Sequence, residues 1–460
     1  MALQFCIGGS GAGKSEHLYR EVIRQSMEEP DTRFFIIVPD QFTMQTQKEL
    51  VMRHPGGGIM NIDVLSFGRL SHRIFEETGG GRKPVLDDTG KSLILRKIAS
   101  DCEDRLKVIG SHIKRIGYIH EVKSAISEFM QYGIDLKQLT ELTEYARPRG
   151  SLYYKLQDLR ILYQTFLDAA AGFVTTEGQL GLLADALEHS DMIRDSVVVF
   201  DGFTGFTPVQ NQVIRRLLLL CRDVKVAVIM DSEEDPYTDD GEQKLFAFSK
   251  KMVRSLVRLA EETGVGKKPD IRLGGKPLPR FTDNPSMAHL ERELFRYRNC
   301  PYTDGQDAIH LMEASTPGEE VRQICLQIRR LVREEGYAYR DIAVVAGDLA
   351  VYADYVEETF AVFSIPCYVD AARGITLNPF IEYIRSAFNI LLQNFSYEAV
   401  FHFLRSGLAD IEAQDTDRLE NYVLRQGIRG KKRWSEMFVR RSRRDPSPRE
   451  TEELKALNRT

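Results

Sequence analysis

"FCIGGSGAGKSEHL", Phe5–Leu18, is the stretch on which the reading of this chain turns. Gly8, Gly13, Lys14 and Ser15 satisfy the pattern G-x-x-x-x-G-K-[ST], with Gly9, Ser10, Gly11 and Ala12 between them. Glycine reaches positive φ without a steric penalty, so successive backbone N–H groups can turn inward around phosphate oxygens. The apolar run Leu3–Ile7 predicts a strand before the loop. After it, Leu18, Val22 and Ile23 recur on one face, and Ser15–Met27 reads as a helix. The positive end of that helix points at the same loop. In such an arrangement Lys14 reaches the β- and γ-phosphates and the Ser15 hydroxyl holds Mg²⁺. ATP with Mg is the ligand expected, and a purely structural glycine turn is the alternative.

Working outward, "RFFIIVPD" reads as a buried strand, "FTMQTQKELVMRH" as a helix, "IMNIDVLSF" as a strand and "GRLSHRIFEETGGG" as a helix. Strand and helix thus alternate three times, the pattern of a parallel sheet covered on both faces. Residues 87–190 lose the strand signal and read as an all-helical insertion. "DSVVVFDGFTGFTP" and "DVKVAVIMD" return two buried strands, so 1–86 and 191–240 form one P-loop domain. Residues 241–300 read as a helical segment and a Pro/Gly-rich linker. Residues 301–378 read as the first part of a second α/β unit, with strands at "DAIHLMEAS", "DIAVVAGD" and "IPCYVD". Residues 379–460 are helical again and end without a stop signal, as in a chain cut inside a helical insertion.

Composition sets outer limits. The 460 residues suffice for several domains, and 43% apolar with 28% charged residues is ordinary for a globular protein. No apolar run reaches the ~18–20 residues of a membrane span, and the N-terminus lacks a basic, signal-like start. A cytoplasmic protein with no membrane association is the expectation. The net charge of −5 excludes a globally basic nucleic-acid binder but not a local basic groove. The six cysteines are Cys6, Cys102, Cys221, Cys300, Cys325 and Cys367. None forms a C-x-x-C pair, which argues against zinc.

A P-loop motor needs an acidic residue at the end of a buried strand and, beside it, a carboxylate that orients the attacking water. "VVVFD" supplies the first as Asp201, a second expected Mg ligand through the nucleotide. In helicases of superfamily 1 the stretch reads D-E-F-Q-D-T-x-x-x-Q; here it reads "DGFTGFTPVQ". Phe203, Thr207 shifted by one, and Gln210 keep the outline. Gly202 stands where the Glu should be and Gly205 where a second Asp should be. On the next strand, Met230 and Asp235 stand where helicases place Gly-Asp and a γ-phosphate-sensing Gln. Losing such a carboxylate costs on the order of a thousandfold in rate.

The motifs "GGSGAGKS", "VPDQFTMQTQKEL", "VLSFGRLSHRIF", "VVVFDGFTGFTP", "IAVVAGD" and "IPCYVD", in this order over essentially the whole chain, resemble AddB. AddB, also called RexB, is the B subunit of the bacterial AddAB helicase–nuclease. The resemblance implies an α/β, superfamily 1 helicase-like fold with two RecA-like parallel-sheet domains and all-helical insertions. It implies motor motifs that have decayed, and AddA as the active partner. The function implied is processing of double-strand DNA breaks for recombination, entered at a duplex end. The single strand is read for a hotspot (Chi) as it passes. A C-terminal nuclease with a 4Fe-4S cluster held by four cysteines is implied for the intact protein. The chain stops before those cysteines and carboxylates, so this part is expected to show little or no ATPase or nuclease activity of its own. No catalytic residue is assigned within it.

The ends of the second and third strands are where superfamily 1 helicases face single-stranded DNA. Gln41 and Thr43 can exchange hydrogen bonds with bases or phosphate, or cap the helix that starts there. Phe67, and Phe206 beside Asp201, offer stacking faces or are core rings. Arg69 can pair with phosphate or guanine, or form a surface ion pair. His72 lies one turn further on, where the family can carry an aromatic. The resemblance marks these six as expected Chi contacts. Arg440, Arg441, Arg443 and Arg444, with Lys431 and Lys432 upstream, form a basic cluster that could follow a nucleic-acid path or be a solvated segment. Two other readings stay open: an independent P-loop ATPase, helicase or nucleotide kinase, and a scaffold with a vestigial loop.

Overall fold

A computed structural model describes residues 1–80, 83–110, 116–297, 299–371, 375, 378–439, 452, 455, 456 and 458. The chain divides into two compact units, residues 1–310 and 311–460.

The first unit is built on one parallel sheet. Its strands are β1 (Ala2–Gly8), β2 (Phe34–Ile37), β3 (Ile62–Leu65), β6 (Val197–Phe200) and β7 (Asp223–Ile229). Two short pieces, β8 (Gly266–Lys267) and β9 (Ile271–Leu273), both lie alongside β1. The order is β3-β2-β6-β7-β1 and then the β8/β9 edge, and every pairing is parallel. One strand, β7, therefore separates the glycine-loop strand from the strand that ends at Asp201.

The strands are apolar without interruption because both faces of the sheet are covered. Alternate residues go to opposite sides. Phe5, Ile7, Phe35, Ile37, Val198 and Phe200 face one core. It is closed by α3 (Phe67–Thr78), α8 (Thr176–Ala186), α9 (Pro208–Leu220) and α10 (Ala247–Thr263). Cys6, Phe34, Ile36, Val197 and Val199 face the other core, closed by α1 (Lys14–Glu28) and α2 (Thr43–Arg53).

The helical insertion forms its own core from α4 (Asp88–Asp101), α5 (Ile116–Gln131), α6 (Leu136–Tyr145) and α7 (Gly150–Ala169). A two-residue parallel pair, β4 (Val85–Leu86) with β5 (Val174–Thr175), ties its ends together. The Asp158 carboxylate, fully buried, accepts the backbone N–H groups of Lys107, Val108 and Ile109. The last helix of the expected insertion, α8, instead lays Leu183 and the following Leu187 into the sheet's core.

Two expectations differ from the structure. The stretch read as a helical segment and linker joins the first unit. Met252, Val253 and Leu256 of α10 are core residues, and β8 and β9 extend the sheet. These edge strands are two and three residues long and polar, too short to carry a periodic signal. The unit also includes α11 (Pro285–Glu293).

The second sheet is the other difference. Residues 311–460 contain α12 (Pro317–Glu334), α13 (Leu349–Val362), α14 (Pro379–Leu392), α15 (Tyr397–Leu404), α16 (Ala413–Gln426) and α17 (Lys431–Trp434), with no strand among the described residues. The runs expected as strands carry no strand assignment, and Val345 is 92% exposed. A strand exists through the ladder it joins, and among the described residues these apolar runs join none. Val321, Cys325, Ile328, Phe360 and Ile365 form one small core in this unit, and Phe401, Leu419, Val423 and Ile428 another.

Candidate functional site: a glycine loop beside an altered acidic strand

The glycine loop is shaped as its composition predicts. Gly11 and Gly13 lie at φ +90° and +87°, the left-handed region that glycine enters freely. Gly8 sits where a side chain would not fit. A Cβ there would stand 2.8 Å from the Leu273 carbonyl and 2.9 Å from Ala12 Cβ. The Gly8 carbonyl accepts the Met230 N–H at 3.1 Å, which fixes the loop's start to the end of β7. Lys14 opens α1, is 9% exposed, and donates from Nζ to the Gly9 carbonyl at 2.9 Å. The ammonium thus turns back onto the loop. Burial pulls its pKa below the ordinary lysine value, and the nearby Asp201 partly opposes that. Ser15 is half-buried on the first turn of α1. Below the loop, burial pushes the Cys6 thiol up to about 12, so it is no nucleophile near neutral pH.

Asp201 follows β6 and is 8% exposed. Its Oδ2 accepts the Tyr19 hydroxyl at 2.8 Å. Tyr19 lies one helical turn after Ser15, on the same face of α1. Burial, and next the charge of Asp201, hold the Tyr19 phenol far above its usual pKa, so it stays a donor. Neither the sequence pattern nor the resemblance pointed to Tyr19. Its i+4 spacing from Ser15 was the available signal. A cradle of this form, with a lysine inside it and an acidic side chain across β7, fits a Mg–nucleotide in kind.

Gly202 is the departure. It lies at φ +80°, and a Cβ there would touch Pro39 Cδ at 3.4 Å and Phe42 Cδ2 at 3.7 Å. The chain turns left-handed immediately after Asp201, where a Glu is expected in an active motor. Thr207 and Gln210, which keep the helicase outline, form a capping box on α9: Gln210 N–H donates to Thr207 Oγ1 at 3.3 Å and Thr207 N–H to Gln210 Oε1 at 2.9 Å. A helix start alone accounts for those two residues.

The strand ends expected to face DNA do converge. Gly202 meets Pro39 and Phe42 from the end of β2, and Phe67 after β3 meets the rings that follow β6. The six candidate residues divide. Gln41 is exposed in the 3₁₀ turn Asp40–Phe42. Arg69 and His72 are exposed on α3. His72 also lines a cavity of about 340 Å³ with Phe75, Glu76 and Gln179, beside the β4–β5 pair. Phe206 is half-buried, with its ring centroid 5.1 Å from that of Phe203.

Two of the six take the structural alternative: a turn-closing hydroxyl for Thr43 and a core ring for Phe67. Thr43 is 2% exposed and its hydroxyl donates to the Asp40 carbonyl at 2.9 Å, so it closes its own turn. Phe67 is 7% exposed and packs edge-on or tilted against Phe200, Phe203 and Phe206, with centroids 5.8–6.4 Å away. It is a core ring because it begins α3 and points into the sheet. Phe42, 41% exposed beside Gly202, offers an open ring that the sequence reading missed. Among the described residues no three His, Cys, Asp or Glu side chains gather as a metal set. Residues 440, 441, 443 and 444 of the basic cluster lie outside the described residues. Among the described residues no helix is long and apolar enough to cross a membrane.

Comparison with known proteins agrees with this geometry. Residues 5–291 match the family described as "ADDB, N-terminal". A relative from Lachnoclostridium phytofermentans, named as the B subunit of an ATP-dependent helicase/deoxyribonuclease, is 42% identical over 445 residues. The alignment covers 96% of this chain and 39% of that protein. Relatives of the same name from Acetivibrio thermocellus and Desulforudis audaxviator are 32% and 34% identical, over 94% and 95% of this chain and 37% of each relative. The chain thus spans well under half the length of the curated relatives it matches. With the glycine loop and its parallel sheet at one end of that match, the chain belongs to the AddB N-terminal family.

Proposed function

We propose that this chain is the nucleotide-binding, DNA-reading part of the AddB-type subunit in a helicase–nuclease that processes double-strand breaks for recombination and repair. The observation that carries the reading is the pairing of an intact glycine loop with a left-handed Gly202 after Asp201. The first retains phosphate; the second removes the group that would activate water. Lys14 and the loop N–H groups would hold the phosphates of ATP. Ser15 and Asp201 would face its Mg²⁺, with Asp201 first released by Tyr19. Turnover would be slow, because Gly202 carries no carboxylate to activate water.

Beside it, Gln41, Phe42, Arg69 and the rims of Phe203 and Phe206 form the face offered to a single strand. The partner is the helicase–nuclease subunit AddA, the site of action is the cytoplasm, and the single strand is scanned for Chi. The test uses the full-length subunit reconstituted with AddA. Arg69→Ala should lower the response to the hotspot while unwinding of other DNA continues at the wild-type rate. An unchanged hotspot response rejects the DNA-reading assignment.

A further inference from the structure

The turn after β9 lies directly on the glycine loop. The Arg280 backbone N–H donates to the Gly11 carbonyl at 3.3 Å. A methyl group on Gly11 would stand 2.9 Å from Arg280 Cβ and 3.2 Å from Phe281 Cε2. Leu278 closes on Gly9 in the same way, at 3.2 Å. The side chain of Arg280 then follows the loop, with Cδ 3.4 Å from the same Gly11 point. It is exposed and forms no ion pair among the described residues. Its charge is close enough to add to burial in opposing the Lys14 ammonium. Two cations thus flank one loop whose N–H groups also favour an anion. Asp201 acts on Lys14, and Glu291 Oε1 stands 3.3 Å from the point a methyl group on Gly9 would occupy, but Arg280 itself is held by no carboxylate among the described residues, so its charge stays open to an anion on the loop. Behind the turn, a cavity of about 950 Å³ opens from Gly9, lined by Asp231, Leu278, Glu291, Arg296 and Tyr302. That is room enough for the rest of a nucleotide.

We propose that Arg280 is a phosphate ligand of this site, brought to the glycine loop in cis by the Leu278–Phe281 turn. The inference rests on the reading that the loop holds a nucleotide. Its sign distinguishes it from a simple plug. If the turn only blocked the loop, removing the Arg280 side chain would tighten binding. As a ligand, its removal must weaken it.

The experiment is calorimetric titration of the chain with Mg–ATP and Mg–ADP. Wild type, Lys14→Ala, Arg280→Ala, Arg280→Gln and Arg280→Lys are compared, with melting curves taken without nucleotide. A charge-assisted hydrogen bond predicts that Arg280→Ala and Arg280→Gln weaken ATP binding about tenfold to a hundredfold. Arg280→Lys should recover part of the loss, and all three should melt like wild type. Unchanged or tighter binding in Arg280→Ala overturns the inference while leaving the nucleotide reading intact. Absence of binding by wild type overturns the nucleotide reading and the inference with it.

Discussion

Restoring a carboxylate after Asp201 should not restart hydrolysis. In Gly202→Glu the new residue must adopt φ near +80°, a region that costs an L residue about 1–2 kcal/mol. Sterics add little, because the nearest atoms to its Cβ, Pro39 Cδ and Phe42 Cδ2, are at ordinary contact distances of 3.4 and 3.7 Å. The variant should fold and lose about 1–2 kcal/mol, a few degrees in melting temperature. A positioned catalytic base is worth ~10²–10⁴-fold, but only where it reaches the water. Here the side chain leaves toward Pro39 and Phe42, at the end of β2. That strand lies on the far side of β6 from the glycine loop, and β7 intervenes between β6 and β1. At about 4.8 Å per strand, β6 is already about 10 Å from β1, and the carboxylate starts in the opposite direction. Steady-state hydrolysis at saturating Mg–ATP, with and without single-stranded DNA, is the assay. Turnover should stay within a few-fold of wild type. A rise of about a hundredfold or more would refute the argument that the backbone itself excludes the catalytic group.

The same geometry fixes three further outcomes. Lys14→Ala should abolish measurable Mg–ATP binding. In wild type, binding should weaken as pH rises toward, but before, the ordinary lysine range, because burial lowers the Lys14 pKa. The stability effect has the opposite sign: between the lowered folded pKa and the normal unfolded one, the unfolded chain binds more protons, so this lysine's penalty fades as pH rises. Isothermal titration and denaturant melts over that window check both signs. Tyr19→Phe leaves the buried Asp201 without its donor and should cost about 1–3 kcal/mol in denaturant titration without nucleotide. Mg–ATP should recover part of that loss, whereas a purely structural hydroxyl predicts no recovery. Phe67→Ala empties a ring from the aromatic cluster and should cost about 3–5 kcal/mol; a variant that melts like wild type and loses only DNA affinity would return Phe67 to the stacking face.

What the sequence revealed and concealed follows physical lines. "FFII", "VVVF" and "VKVAVI" were legible as strands because a sheet covered on both faces must be apolar at every position. The glycine loop was legible because Gly8, Gly11 and Gly13 answer local steric demands that only glycine meets. Val344 and Val345 carry the same apolar signal, yet pairing is a property of two segments and cannot be read from one. The reverse holds for β8 and β9, which pair with β1 while looking like linker. Composition could not separate Thr43 and Phe67, both buried, from Gln41 and Arg69, both exposed, because all four follow strand ends. The Tyr19–Asp201 and Arg280–Gly11 contacts join residues distant in sequence, and no local rule foretells them.

The central claim is that this glycine loop holds a nucleotide it cannot efficiently split. The measurement that tests it most directly is paired on one preparation of the chain: the equilibrium affinity for Mg–ATP, and steady-state turnover with and without single-stranded DNA. The expected result is binding that Lys14→Ala removes, with turnover far below ~1 per second and indifferent to DNA. Turnover of about 10 per second or more, stimulated by DNA, would contradict it.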